Sequence, residues 1–235
     1  AASSNTGAKE AIYEYIVFLD DDDALPLDYL EATVPILFND KNLDAVSGRR
    51  LVIYPERKIY DPLPKLDNLY VSMDDGVLFR KEVFERIQYD ENLLTNEDAD
   101  FGIQFRQADL TLKLIDHLTL YKYGHETNSP DSWSSASDRT IIGMRKFIKK
   151  NVDFYKEAGS KKEIAYLYRM MGRLHLLSYH NFSRLFGSIW HNKAFKTDRT
   201  LRNFLQLAFA YLGSRAYRWY WNKELKYTRW QRSRK

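Results

Sequence analysis

The stretch Tyr15-Ile-Val-Phe-Leu-Asp-Asp-Asp-Asp23 decides which fold the sequence predicts. Five apolar or aromatic residues follow one another without polar alternation, which is typical of a strand buried on both faces of a sheet. The run then stops at four consecutive carboxylates, Asp20 to Asp23. Because ligands of open α/β sheets bind beyond the carboxyl ends of the strands, we expect these acids to lie in a binding site.

The four acids have two interpretations. Crowded carboxylates disfavour one another's ionisation unless a cation lies among them, and oxygen ligands suit a hard divalent ion such as Mg²⁺ or Mn²⁺. The acids also fit a solvated turn that leads into a helix, because Pro26 and Asp28 resemble a helix start. The strand-to-helix context favours the cation site without excluding the turn.

Composition limits the class of protein. A chain of 235 residues can form one large domain, or one domain with a helical extension. The absence of cysteine excludes disulfides and thiolate metal sites. The net charge of +4 is modest, but Gly213 to Lys235 holds eight Lys and Arg against one Glu, with six Tyr and Trp between them. A local basic and aromatic tail therefore ends the chain.

Hydrophobic periodicity predicts alternating helices and strands, followed by helices alone. The predicted elements are a helix at 5–14, a strand at 15–19, a helix at 27–38, one or two strands within 43–54, a loop at 55–68, a short helix at 81–87, a helix from 95, strands at 110–115 and 118–123, and helices after a polar linker or flap at 129–138. Gly48 is expected to mark a bulge or a close approach.

Four helical faces are predicted to pack inward. They are Leu30, Val34 and Leu37; Ile141, Met144 and Ile148; Ile164, Leu167, Met171, Leu174 and Leu177 after a capping box at Ser160; and Leu201, Phe204, Leu205, Ala208 and Leu212.

Short motifs follow the same order over about the first 125 residues as in one known family. They are Asn5-Thr-Gly7, Ala11, Tyr15-Ile16, Phe18-Leu19, the four acids, Pro26, Leu30, Val46-x-Gly48, Gly76-Val-Leu-Phe-Arg80, Tyr89-Asp-Glu91, Glu97-Asp98 and Arg106. Together they resemble family 2 glycosyltransferases. In that family an Asn-x-Gly turn opens the helix that leads into the strand carrying an Asp-x-Asp motif.

The resemblance implies the fold. It is an α/β, GT-A-like (Rossmann-like) mixed sheet flanked by helices, with a partial catalytic domain at 1–128 and a helical extension with the basic aromatic tail at 129–235. It also implies a preceding βαβα segment, so the sheet is expected to be incomplete at the N-terminus. An incomplete sheet exposes an unpaired apolar edge, which is an association hazard.

The resemblance further implies metal-dependent, inverting transfer of a sugar from a nucleotide diphosphate-sugar to an acceptor hydroxyl. Mn²⁺ or Mg²⁺ would be held by Asp22 and Asp23. Asp20 and Asp21 would contribute to donor binding, with Asp20 meeting the ribose or orienting the site. The fourfold run leaves this register open by one residue. Asn5 and Gly7 would approach the nucleotide from the other side of the strand.

Four further sites each keep two interpretations. Glu97 and Asp98 match an acidic pair of which one member, with Asp98 preferred, is the catalytic base; acids in a first helical turn are also favoured by the helix dipole. Arg106 matches an Arg that contacts phosphate or pairs with an acid. His125 resembles a His beside the metal, where imidazole would suit Mn²⁺, or it is structural. Asp74 and Asp75 touch sugar or acceptor, or form a turn.

The predicted function has competitors from other classes. A metal-dependent phosphohydrolase would use the same acids, and a non-catalytic module could bind nucleic acid through its basic aromatic tail. Because that tail carries no recognisable nucleic-acid motif, we expect no nucleic-acid partner. The expected partners are a nucleotide diphosphate-sugar donor and a polysaccharide or lipid-linked glycan acceptor.

The last segment, Leu201 to Lys235, is expected to dock on an anionic membrane surface. Its apolar stripe, its Trp and Tyr and its basic end suit the interfacial region. The expected location is cytoplasmic, peripheral on the inner face of the membrane. The alternative is that the aromatics pack the tail within the protein and leave a solvated basic end.

Overall fold

The computed structural model describes residues 1–54, 57–61, 73, 75–124, 138–177, 183–217 and 219–221. The chain divides into two compact units, residues 1–126 and residues 127–235. Unit 1 is α/β, with a mixed open sheet and flanking helices, which confirms the predicted fold class. The described part of unit 2 is helical.

Unit 1 is built on one sheet. Its described strands are β1 Tyr15–Val17, β2 Ala45–Tyr54, β3 Arg57–Asp61, β4 Leu78–Arg80 and β5 Leu112–Tyr123. Its described helices are α1 Ala2–Glu10, α2 Tyr29–Asn39, α3 Val83–Arg86 and α4 Glu97–Gln107.

The strand directions bring several chain segments to one end of the sheet. The order is β1-β4-β2-β3, and β5 pairs with the other edge of β2. Since β4 is antiparallel to β1 and β2, and β5 is parallel to β2, β1 and β5 run in the same direction, toward the end of the sheet at which β4 begins. Within the described residues β1 pairs only with β4, so it lies at an edge of the described sheet.

Two strand predictions are wrong. Residues 57–61, assigned to a loop, form β3, which pairs with β2 from Arg50↔Asp61 to Tyr54↔Arg57. Ile59 and Tyr60 are residue types that favour strands. The prolines that suggested a loop lie outside β3. Residues 112–123, assigned to two strands, form one strand. A bulge opposite Gly48 shifts the register, so that pairing with β2 continues past the residues between the two predicted strands.

The predicted close approach at Gly48 is confirmed. A Cβ atom on this residue would lie 2.3 Å from the carbonyl oxygen of His117. The Gly48 amide also donates to the Thr119 hydroxyl at 3.1 Å. Only a residue without a side chain lets β5 pass β2 this closely.

Two helix predictions are displaced. Helix α1 starts at Ala2, so Asn5 and Gly7 lie inside the helix and do not form the turn that opens it. On α2 the buried residues are Tyr29, Thr33 and Leu37, whereas Leu30 is 59% exposed. The inward face of α2 is therefore rotated by one residue, because Tyr29 supplies its first buried side chain.

An aromatic core fixes the position of α4. Phe79 of β4 and Phe101 of α4 are fully buried, with ring centroids 5.8 Å apart. Tyr89 stacks on Phe101 at 4.4 Å, and Phe84 of α3 stacks on it from 5.5 Å. The other face of the sheet packs on α2 through Val46 and Leu78, among others. The first turn of α4 is thus held against the sheet.

Residues 214–217 and 219–221 of unit 2 are helical, and four longer helices precede them. They are α5 Asp138–Glu157, α6 Lys161–Leu177, α7 Ser183–Thr197 and α8 Leu201–Leu212. The predicted inward faces of α5 (Ile141, Met144, Ile148) and of the first part of α6 (Ile164, Leu167, Met171) are buried, and Leu174 and Leu177 are half-buried.

The predicted inward face of α8 is wrong. Its buried residues are Asn203, Gln206 and Ala210, while the predicted stripe leaves Leu201, Phe204 and Leu212 exposed. Asn203 is drawn inward because Arg169 donates to its Oδ1 at 2.6 Å and its Nδ2 donates to the Asp198 carbonyl at 2.6 Å. Within the described residues, no helix combines the length and apolarity needed to cross a membrane.

A fully buried histidine lies in the core of unit 2. His191 of α7 packs on Gly172 of α6, where a Cβ atom would lie 2.7 Å from the ring, and on the ring of Tyr217 at 5.0 Å. Neither ring nitrogen has a hydrogen-bond partner among the residues that the structure describes. Burial, with a smaller contribution from the charge of Arg169, lowers the pKa of His191 to about 3.

This histidine makes the stability of unit 2 depend on pH. Below about pH 6.5 the histidine is protonated in the unfolded chain but stays neutral in the folded protein. The free energy of unfolding should therefore fall by up to about 1.4 kcal/mol for each pH unit, down to about pH 3. His191→Leu should remove most of this slope. All five tryptophans follow residue 126, so their fluorescence in urea reports on unit 2. Equal slopes in both proteins would contradict the assignment.

Candidate functional site

Three of the four consecutive acids come together beyond β1. Asp20, Asp22 and Asp23 each place a carboxylate oxygen within 4.8 Å of the others. Asp20 and Asp22 are exposed and Asp23 is half-buried, whereas Asp21 is exposed and outside this group. This donor set, all carboxylate oxygen and open to solvent on one side, fits a hard divalent ion.

The last strand holds the turn of acids in place. Ala24 and Tyr121 exchange backbone hydrogen bonds of 3.0 and 2.8 Å. The Tyr123 amide donates to Asp23 Oδ1 at 2.9 Å, and the Lys122 ammonium lies 3.2 Å from Asp23 Oδ2. The turn therefore lies against the carboxyl end of β5, as the shared direction of β1 and β5 requires.

A fourth carboxylate joins this site from the turn before β4. Asp75 is 5% exposed, and its Oδ2 lies 3.2 Å from Lys122 Nζ. Its Oδ1 accepts the Asp20 amide at 3.1 Å. The left-handed Gly76 that follows donates its amide to the Phe18 carbonyl at 3.3 Å. Asp75 thus forms the predicted turn and also contacts the acids; Asp74 lies outside the described residues.

The acidic pair of α4 lies in its first turn. Glu97 and Asp98 are half-buried, while Asp100 is fully buried and accepts a bond from Gln104 at 2.8 Å. The Met73 amide donates to the Asp98 carbonyl at 3.2 Å. Because Asp75 follows Met73 by two residues, one short segment connects the start of α4 to the carboxylates after β1.

Asn5 has a clear structural partner. Its Nδ2 donates to the Tyr89 carbonyl at 2.9 Å, and its Oδ1 accepts the Tyr89 amide at 3.0 Å. Nδ2 also lies 3.0 Å from Glu91 Oε1. The residue thereby fastens α1 to the segment after α3. Gly7 faces open space, with no atom within 4 Å of a Cβ built there. Their assignment to the nucleotide stays a prediction.

Arg106 and His125 complete the predicted set. Arg106 is half-buried and borders a pocket of about 220 Å³ that Met73, Phe105 and Leu110 also line. Its contact with phosphate stays a prediction. His125 lies outside the described residues. Just after α4, Asp109 has a left-handed backbone with φ 54°.

Sequence reasoning missed Lys122. Lysine in an amphipathic strand carries no signal of its own, and 99 residues separate it from Asp23. Only the parallel pairing that brings β5 alongside β2 shows that the two residues meet. The site that results contains four described carboxylates and one ammonium group at the same end of the sheet.

A protein-family model matches the first part of the chain. Residues 1–109 match the family model described as Glycosyl transferase family 2. The matched range includes the acids after β1, Asp75, the acidic pair of α4 and Arg106, and it ends at the left-handed Asp109. Among curated proteins the chain has no match.

Proposed function

Residues 1–109 are a family 2 glycosyltransferase domain, and we propose that this enzyme is a metal-dependent, inverting transferase that moves a sugar from a nucleotide diphosphate-sugar to an acceptor hydroxyl. The observation that carries the proposal is the group formed by Asp20, Asp22 and Asp23, with oxygens within 4.8 Å of one another. Its position beyond a strand end suits a ligand that carries phosphates.

Each residue of the site has its own proposed role in sugar transfer. Exposed Asp20 and Asp22 would hold Mg²⁺ or Mn²⁺, which when bound neutralises charge on the departing diphosphate. Arg106 would meet the diphosphate as a charged donor. Asp98 would accept the proton of the acceptor hydroxyl, a role for which a half-buried carboxylate on a firmly packed helix is suited. Glu97, its neighbour, would orient the acceptor.

The products and their metal dependence test this function. A panel of nucleotide diphosphate-sugars should release nucleoside diphosphate in Mn²⁺ or Mg²⁺ and not in EDTA, with activity restored by added metal. With acceptor present, proton NMR should show inverted anomeric configuration. Release of inorganic phosphate from simple esters, without sugar transfer, would instead support a phosphohydrolase. Turnover undiminished in EDTA would contradict the metal requirement.

We further propose that the C-terminal segment docks the enzyme on an anionic membrane and so brings it to a lipid-linked or envelope acceptor on the cytoplasmic face. Large apolar side chains on and after α8 are exposed: Leu201 by 73%, Phe204 by 50%, Leu212 by 68% and Trp219 by 59%. The basic sequence that follows would add about 1 kcal/mol for each charge near the surface.

Part of the tail is structural. Tyr217 is fully buried, Tyr220 stacks on Phe209 at 4.7 Å, and Trp221 lies under Arg173 at 4.2 Å. These three aromatics pack within unit 2, which supports for them the alternative that the tail aromatics pack within the protein. The Trp219 ring also contacts Phe209 at 5.9 Å, but the residue is 59% exposed, and we assign it to the membrane surface together with the exposed face of α8.

Exposed positions allow a test that leaves the packing intact. Phe204→Ser with Leu212→Ser should reduce co-sedimentation with anionic vesicles at least about tenfold, since each buried side chain contributes about 1.5–3 kcal/mol. Leu27→Ser, at a fully exposed residue of unit 1, is the matched control. Binding should also fall with salt and be weak on neutral vesicles. Equal binding by all three proteins would refute the docking face.

A further inference from the structure

One ammonium group bridges two buried carboxylates beside the proposed metal site. Lys122 Nζ lies 3.2 Å from Asp23 Oδ2 and 3.2 Å from Asp75 Oδ2. The Asp23 side chain is 1% exposed and that of Asp75 is 7% exposed, while that of Lys122 is 37% exposed. Lys122 therefore places one cation, supplied by the protein itself, against both carboxylates.

Both oxygens of Asp23 are already engaged. Oδ1 accepts the backbone amide of Tyr123 at 2.9 Å, and Oδ2 faces Lys122. Charge-assisted bonds of this kind are the stronger class of hydrogen bond in proteins, and breaking them inside a buried site is costly. The side chains of Asp20 and Asp22 are more exposed to solvent than that of Asp23.

We propose that Lys122 is a positioning residue that keeps Asp23 out of the metal-ligand set and leaves Asp20 and Asp22 to hold the divalent ion. A metal ion bound to Asp23 would lie next to a fixed positive charge, and the two cations would repel each other. This inference rests on the proposed metal dependence and assigns Asp23 a different role from the one that the resemblance implies.

The contact of Lys122 with Asp75 also supports this positioning role. Asp75, held by Lys122, accepts the Asp20 amide through its other oxygen at 3.1 Å. Lys122 thereby fixes the backbone from which the first exposed ligand projects. A ligand set whose backbone is held by hydrogen bonds needs less ordering when the ion arrives.

Mn²⁺ affinity, measured by electron paramagnetic resonance of the free ion, separates the two roles of Asp23. Lys122→Met should bind Mn²⁺ at least about threefold more tightly, because the loss of a repelling charge and the release of Asp23 outweigh the weaker hold on Asp75, whose bond to the Asp20 amide does not itself involve Lys122. Asp23→Asn with Lys122→Met keeps the net charge of the chain, and its affinity should return to within about threefold of the wild type. Asp22→Asn should lose at least about tenfold.

If Asp23 is a ligand in the wild type, the double variant will bind Mn²⁺ more than about threefold more weakly than the wild type, and the proposal is overturned. Unchanged or weaker Mn²⁺ binding by Lys122→Met overturns it as well. Lys156→Met is the matched control, because that lysine pairs with Asp153 on the exposed surface of α5. Its Mn²⁺ affinity should equal that of the wild type.

A stability cycle tests the ion pair without any metal. By calorimetry, Lys122→Met should lower the melting temperature of unit 1 by about 4 °C or more, and adding Asp23→Asn should recover part of that loss. Additive losses would overturn the pairing. Absence of Mn²⁺ binding in the wild type would refute the proposed metal dependence, whereas non-additive losses would still support the pairing of Lys122 with Asp23.

Discussion

Asp98→Asn is expected to lower turnover by about two to four powers of ten while donor affinity stays nearly unchanged. The asparagine amide keeps the shape of the side chain but cannot accept the hydroxyl proton. The backbone is unaffected, because the Asp98 contact with Met73 uses the carbonyl oxygen. Nucleoside diphosphate release gives turnover, and calorimetry gives donor affinity.

Two variants make this result specific. Glu97→Gln tests the neighbouring acid and should cost less than Asp98→Asn if Asp98 is the base. Asp109→Asn, at an exposed residue after α4, is the neutral control because asparagine also tolerates its left-handed backbone. Wild-type turnover in Asp98→Asn would show that the base is another residue.

Asp22→Ala is expected to abolish Mn²⁺-dependent donor binding, reducing affinity by more than about 100-fold. Losing an outer-shell partner of a metal already costs about 10–100-fold, and a direct ligand should cost more. Calorimetric titration with nucleotide diphosphate-sugars, with Mn²⁺ and then with EDTA, measures the metal-dependent part. In EDTA the variant and the wild type should bind equally weakly.

The control for this variant is an acid far from the group in sequence. Asp153→Ala removes an exposed carboxylate of α5 that pairs with Lys156 at 2.7 Å. It should bind donor as the wild type does, because an exposed pair contributes little. If both variants lose affinity alike, general charge and not the acids after β1 controls donor binding.

Local pattern predicted much of the fold and of the candidate site. The apolar run before Asp20 identifies β1, and the acids after it were expected at a strand end, where three of them do gather. The close approach at Gly48 could be predicted because backbone geometry at a bulge selects few residue types.

Long-range contacts could not be predicted. Lys122 meets Asp23 across 99 residues, and Asn5 meets Tyr89 across 84. The inward face of α8 is polar because Arg169, on another helix, draws Asn203 inward. In each case the partner lies on a different element, so no spacing within one element reveals it.

The position of the metal is the central claim, and anomalous diffraction at the manganese edge tests it most directly. Crystals grown with Mn²⁺ and a nucleoside diphosphate should show one anomalous peak within about 2.0–2.3 Å of carboxylate oxygens of Asp20 and Asp22, with Asp23 still bound to Lys122. A peak that contacts none of these acids would contradict the claim. The absence of any anomalous peak in crystals that do contain the nucleotide would contradict it as well.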